Sequence, residues 1–290
     1  MKLTFFGYLI FIIACIIFSL YVHFPGKSAA EYIENRISQL DPAVKIQIDP
    51  IVPCLPLGMK TSAVTIGYGG TSTMTMENFR SFPDFTTLFA SVVNADFKTS
   101  VFGGFLSGRV GISRQNPGDL TIETRGESLQ LDRIELGKLL LDCQVSGRMD
   151  LNVTAAFKDG LIRTNHGEIN LADLGLHFPA PLFSIETYSF STGKIKFDMT
   201  DDHVVKIQDF IMKGRQTDIQ LTGKIQINPE VKKSLLEMKA KIVLYPLFFM
   251  NAGDAAPIDV AKNSSDNTVV HLNVGGTIET PLIAMDHGTK

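Results

Sequence analysis

The chain has 290 residues, 44% of them hydrophobic and 20% charged, with a formal net charge of −3 at pH 7. This is the composition of a folding chain, with room for one large or two ordinary domains. Its charges are intermixed and form no basic stripe, which argues against nucleic acid as a partner.

Residues 3–24 carry no charge. At about 1.5 Å of rise per residue, a helix of that length reaches roughly the 30 Å of a bilayer's hydrocarbon core. Tyr8 and Tyr21 suit the two headgroup layers, and Lys2 is a weak positive-inside signal that keeps the N-terminus cytoplasmic. A cleaved signal peptide has a shorter apolar run, with small residues soon after it, whereas Ser28-Ala29-Ala30 comes only after Pro25-Gly26. A lipid-modified Cys15 is the other reading, but Ile16-Ile17-Phe18 follow where small polar residues belong. The expectation is an uncleaved transmembrane anchor over residues 1–24.

Residues 25–42 read as a juxtamembrane turn and short helix. Pro25-Gly26 turns the chain, Ser28 and Glu31 form a capping box, and Asp41-Pro42 ends the helix. From Val44 the period changes from 3.6 to 2, and residues 43–290 read as one β-rich domain. Val44-Lys45-Ile46-Gln47-Ile48-Asp49 alternates as a half-buried strand does. Pro50, Pro53 and Pro56 then mark a loop or a sheet edge. Strands are expected at residues 62–68 and 73–76. Phe85, Leu88, Phe89 and Val92 predict a short helix over residues 83–93.

A small unit then recurs: a glycine, a polar residue, an apolar residue, a polar or small residue, and usually another apolar one. It appears as Gly108-Arg109-Val110-Gly111-Ile112, Gly147-Arg148-Met149-Asp150-Leu151, Gly167-Glu168-Ile169-Asn170-Leu171, Gly193-Lys194-Ile195-Lys196-Phe197 and Gly223-Lys224-Ile225-Gln226-Ile227. A weaker copy is Gly276-Thr277-Ile278-Glu279-Thr280-Pro281. Each reads as a strand entered through glycine, with one apolar and one solvated face. Further strands fall at 119–124, 204–208, 219–221 and 239–244. Asn228-Pro229-Glu230 predicts a helix over 231–238, and residues 251–267 read as a mobile loop. The fold class is therefore mainly β: a transmembrane helix, then a long antiparallel meander with a few short helices. The sheet can be a curled gutter, a sandwich or a partial barrel, and alternation does not choose among them.

Cys15 lies in the anchor. In an oxidising compartment Cys54 and Cys143 are able to form one disulfide; the alternative is two separate buried thiols. No histidine among His23, His166, His177, His203, His271 and His287 stands at metal-ligand spacing. Asp201-Asp202-His203 is the nearest thing to a site and reads better as a polar turn. Gly67-Tyr68-Gly69-Gly70 lacks the lysine of a phosphate loop and reads as a tight turn. No catalytic, cofactor-binding or metal residue is assigned, and no cofactor is expected. Arg109, Arg148, Lys194 and Lys224 all follow the unit's glycine. They form either a row for lipid phosphates or an acidic partner, or the solvated face of strands.

Four features together resemble the type II secretion system protein N family. They are the anchor ending in Phe24-Pro25-Gly26 before a short helix, Phe82-Pro83-Asp84-Phe85-Thr86-Thr87-Leu88, Gly103-Gly104-Phe105-Leu106-Ser107-Gly108, and Gly276-Thr277-Ile278-Glu279-Thr280-Pro281. The resemblance implies a non-enzymatic accessory protein of the bacterial inner membrane, single-pass, with a periplasmic body that touches other secretion components. The same strand pattern is similar to the AsmA-like membrane-anchored β-rich proteins associated with lipid movement. That similarity implies the alternative, a lipid-binding or lipid-transfer module in which Ile169, Ile195 and Ile225 face acyl chains.

Overall fold

The computed structural model describes residues 8–285 apart from 9–10, 13–14, 16–17, 20, 41–43, 55–57, 69–71, 135–142, 160, 183, 201–203, 229 and 253–267. Of the expected anchor, Tyr8, Phe11, Ile12, Cys15, Phe18, Ser19, Tyr21 and Val22 are helical and exposed, and the rest of the span lies outside the described residues. Among the described residues no helix is long and apolar enough to cross a membrane. Helix α1 spans Gly26–Leu40. It starts two residues earlier than the expected cap, because the Ala29 N–H already closes on the Pro25 carbonyl at 3.0 Å. Ser28 and Glu31 therefore lie within the helix and do not form a box at its entrance.

The described strands follow one another along a single antiparallel path in chain order. β1 (Val44–Ile48), β3 (Gly58–Tyr68) and β4 (Ser72–Pro83) lead into β5 (Val92–Val101), while β2 (Val52–Cys54) pairs with β3 off the path. The path continues through β6 (Gly104–Ser113), β7 (Leu120–Gln130), β8 (Gln144–Lys158), β9 (Leu161–Leu182) and β10 (Ile185–Thr200). It ends through β11 (Val204–Gly214), β12 (Thr217–Gln226), β13 (Leu235–Leu244), β14 (Thr268–Gly276) and β15 (Pro281–Met285). Helix α2 (Pro246–Ala252) lies between β13 and β14 in the chain. The meander does not close into a barrel.

The chain divides into two compact units, one of residues 1–85 and 95–101 and one of residues 86–94 and 102–290. In the first, α1 packs on β1. The Glu34 carboxylate accepts the Ile48 N–H at 2.5 Å, and the Ile51 N–H donates to the Gly26 carbonyl at 3.2 Å. Thr61, almost fully buried, donates its hydroxyl to the Asp49 carbonyl at 2.8 Å.

In the second unit the register carries one apolar face from strand to strand. Met149 pairs with Leu171, Leu151 with Ile169, Ile169 with Ile195, Val205 with Ile225 and Ile225 with Leu236. Directly opposed residues share a face. The intervening residues, among them Asn152, Glu168, Lys196, Lys224 and Glu237, therefore form the solvated face. Several register slips re-aim the chain within this pattern, two of them beside non-glycine residues with positive φ. At one, Ser128 has φ 54° and the register slips between Gly126 and Leu129. At the other, Asp173 (φ 53°) stands beside a slip at Gly147 (φ 126°), so that Leu171 and Leu174, three apart, both reach the core. That core gathers Leu131, Leu174, Ile185, Tyr188, Phe190, Met212, Leu244, Phe248 and Ala252.

Three further expectations are corrected by the structure. The repeat glycines lie inside strands and not at their entrances, and Gly276 to Pro281 is the turn between β14 and β15. Residues 83–93 hold only a three-residue 3-10 turn, Phe85–Thr87, because Phe89 is 97% exposed and gives a helix nothing to pack. Residues 231–238 hold a second such turn, Val231–Lys233, after which Leu236, Met238, Ala240 and Ile242 alternate along β13. The Asn228 side chain does accept the Glu230 N–H at 3.0 Å, but it closes a turn and not a helix. Of the two alternatives left open for Cys54 and Cys143, the structure has separate free thiols, Cys143 buried and Cys54 half-buried.

Candidate apolar binding site

The second unit contains a cavity of 510 Å³ on the apolar face of β9–β15. That is within the range of about 300–1,000 Å³ common for small-molecule sites. Thirteen residues line it: Leu176 and Phe178 of β9, Tyr188 and Phe190 of β10, Thr217 and Ile219 of β12, Ile242 and Leu244 of β13, Phe248 of α2, Val270 and Leu272 of β14, and Ile283 and Met285 of β15. None is charged, and only Tyr188 and Thr217 carry a hydroxyl. Register explains the convergence: Thr217 faces Leu244, Ile219 faces Ile242, Ile242 faces Val270 and Leu272 faces Met285.

Phe178 and Tyr188 meet edge-on at 6.0 Å, and burial pushes the Tyr188 phenol above its ordinary pKa. One end of the cavity is wet, since Ile283 is 65% and Met285 44% exposed.

Helix α2 is held over this face by its first residues. Pro246 occupies the first helical position, where a missing N–H costs nothing. Ahead of it Tyr245 donates its hydroxyl to Asp218 at 2.8 Å, and its N–H to the Gln216 carbonyl at 3.0 Å. Asp218 also accepts the Gly214 N–H at 3.0 Å, so one carboxylate ties the β11–β12 turn to the start of α2. The bond to Asp218 raises the Tyr245 pKa. Phe248 and Ala252 are then buried, while Met250 points to solvent.

The residues singled out from sequence fall in different places. Ile169, Ile195 and Ile225 are half-buried on the apolar face, farther along their strands than the residues that line the cavity. Arg109, Arg148, Lys194 and Lys224 stand on alternate strands β6, β8, β10 and β12. Arg148 bridges Asp173 at 2.8 Å and Lys194 bridges Glu168 at 2.7 Å. By register Arg109 faces Glu123 and Lys224 faces Glu237, so these cations sit among carboxylates. His177 contacts the Thr187 hydroxyl at 3.0 Å. Asp201-Asp202-His203 lies outside the described residues, as does most of the expected loop at 251–267. No group of three or more His, Cys, Asp or Glu is placed to hold a metal ion among the described residues.

Sequence reasoning missed α2 and with it Phe248, and it missed the lining role of Tyr188, Ile283 and Met285. Pro246 before Leu247-Phe248-Phe249-Met250 was the one available signal for the helix. Neither a family model, nor a curated protein, nor a solved structure matches this chain.

Proposed function

We propose that this chain is a non-enzymatic, membrane-anchored module that holds the acyl chains of a lipid on the apolar face of its sheet. The observation that carries the reading is the uncharged cavity bounded by Phe190, Ile219, Leu244, Phe248 and Met285, wet at its β15 end. Each methylene buried there contributes about 0.8 kcal/mol, and no lining group rewards a charge. Residues 3–24 supply the anchor and place the body beside a membrane, in this reading the periplasmic side of a bacterial inner membrane. The test is binding of an acyl-labelled phospholipid to the full chain, with competition by unlabelled phospholipid. Saturable binding supports the reading, and labelling confined to the N-terminal 24 residues would overturn it.

A second reading keeps the secretion-system setting implied by the family resemblance, with secretion components docking on the solvated face. Its favouring observation is that this face continues strand after strand through Arg148, Lys194, Lys224 and Lys241, all polar and accessible. Deleting the gene would then leave exported proteins stranded in the periplasm, and unchanged secretion would count against it.

A further inference from the structure

We propose that β15 is a docking edge for a second copy of the chain, whose own β15 adds antiparallel to it. Edge strands present unpaired N–H and C=O groups, and folded proteins usually guard them with charges, bulges or a covering helix. The strand that opens the path is guarded in this way. Helix α1 packs on β1, Glu34 occupies the outward Ile48 N–H at 2.5 Å, and Lys45 stands exposed on the strand.

Among the described residues, the strand that closes the path has none of these protections. Pro281-Leu282-Ile283-Ala284-Met285 contains no charge, keeps an unbroken register with β14, and among the described residues pairs with no other strand. All five residues are exposed, Leu282 at 70% and Ile283 at 65%. The proline, which has no N–H to offer, is confined to the first position.

This asymmetry selects the occupant. Head-to-tail growth would lay β15 of one copy on β1 of the next, and there α1 and Glu34 already hold the edge. Pairing β15 with β15 is self-complementary, preserves the antiparallel sense of the sheet and closes after two copies. A neutral strand meets its own copy without like-charge repulsion. Centred on Ile283, the pairing opposes Leu282 to Ala284 of the second copy. It also brings Ile283, at the wet end of the cavity, against its own counterpart and Met285 against Pro281 of the second copy, so that the apolar lining continues across the pair. The inference stands on the edge itself and does not depend on what the cavity holds.

The test uses the full 290-residue chain in mild detergent, with its protein mass measured by light scattering over a concentration series. The expected mass is twice that of one chain. Leu282→Lys with Ala284→Lys changes two exposed residues on the face away from the cavity, and it should halve the mass while leaving the thermal midpoint and circular dichroism unchanged. Ile283→Cys, in a Cys15→Ala and Cys54→Ala background, should give an interchain disulfide on mild oxidation. Val269→Cys, exposed on neighbouring β14, should not. A wild-type chain monomeric at every concentration overturns the proposal, and this is also the outcome if the edge receives a strand from another protein. A dimer that survives the two lysines overturns it as well.

Discussion

The Phe197 ring lies over Gly167 on the neighbouring strand: the two are register partners, and a Cβ on Gly167 would stand 2.7 Å from the ring's Cζ. Val153, on the other side, would be 3.1 Å away. The same relation recurs where Gly193 sits beneath Met212 and Gly126 beneath Leu151. Glycine weakens a strand through its entropy and missing side chain, and a large neighbour that folds over it restores the buried contact. At Gly167 and Gly193 the recurring glycine therefore has a packing role inside the strand, on the apolar face, whereas Gly147 and Gly223 adopt positive φ with neighbouring backbone where a Cβ would stand.

Gly167→Ala should overpack this contact and cost about 1–3 kcal/mol in urea unfolding. Adding Phe197→Leu should recover part of that loss, making the pair less than additive. A neutral Gly167→Ala would show that the ring does not need the space.

A charge placed in the cavity lining should abolish acyl binding without unfolding the chain. Ile219→Asp and Val270→Asp are suitable because both residues are only partly buried. Lys241→Ala, on the solvated face of β13, should leave binding unchanged and stability within about 0.5 kcal/mol. Binding to the labelled phospholipid, read beside circular dichroism, separates a lost site from a lost fold.

The tie between Tyr245 and Asp218 should set how firmly α2 sits. Tyr245→Phe removes the 2.8 Å bond and should cost about 1 kcal/mol of local stability. The readout is faster amide hydrogen exchange at Phe248, whose N–H bonds to the Tyr245 carbonyl at 2.9 Å, with exchange in β8–β10 unaffected.

Glu168 gives the pH dependence. Its bond to Lys194 holds the carboxyl below its ordinary pKa, with smaller help from Asn170 and Lys196 against an opposing desolvation. The folded-state pKa is depressed. Its stabilising contribution is thus present above the ordinary carboxylate value, about pH 4.3, and is lost as pH falls through the folded value. Glu168→Gln should flatten the acid limb of the stability curve. An unchanged limb would mean that the exposed Lys194 pair contributes nothing in solution.

The strands were legible because residues such as Val44, Ile46 and Ile48, or Met149, Leu151 and Val153, alternate with polar neighbours over a half-buried sheet. The bulges were not, since Ser128 and Asp173 adopt positive φ without being glycine. The helix expected at 83–93 failed because apolar spacing alone is ambiguous when Phe89 has nothing to pack against. Helix α2 has seven residues, too few for a 3.6-residue period to declare itself. The cavity depends on that helix and on register across seven strands, so no single stretch of sequence contains it.

The proposed function has lipid acyl chains on the face lined by Ile219, Leu244 and Phe248. The most direct measurement is photo-crosslinking of the full chain with a phospholipid carrying a photoreactive group at the end of its acyl chain, with the modified peptides identified by mass spectrometry. Crosslinks are expected within β12, β13, α2 and β14, and they should be lost in Ile219→Asp. Crosslinks found only in residues 1–24, or unchanged in that variant, would contradict the proposed function.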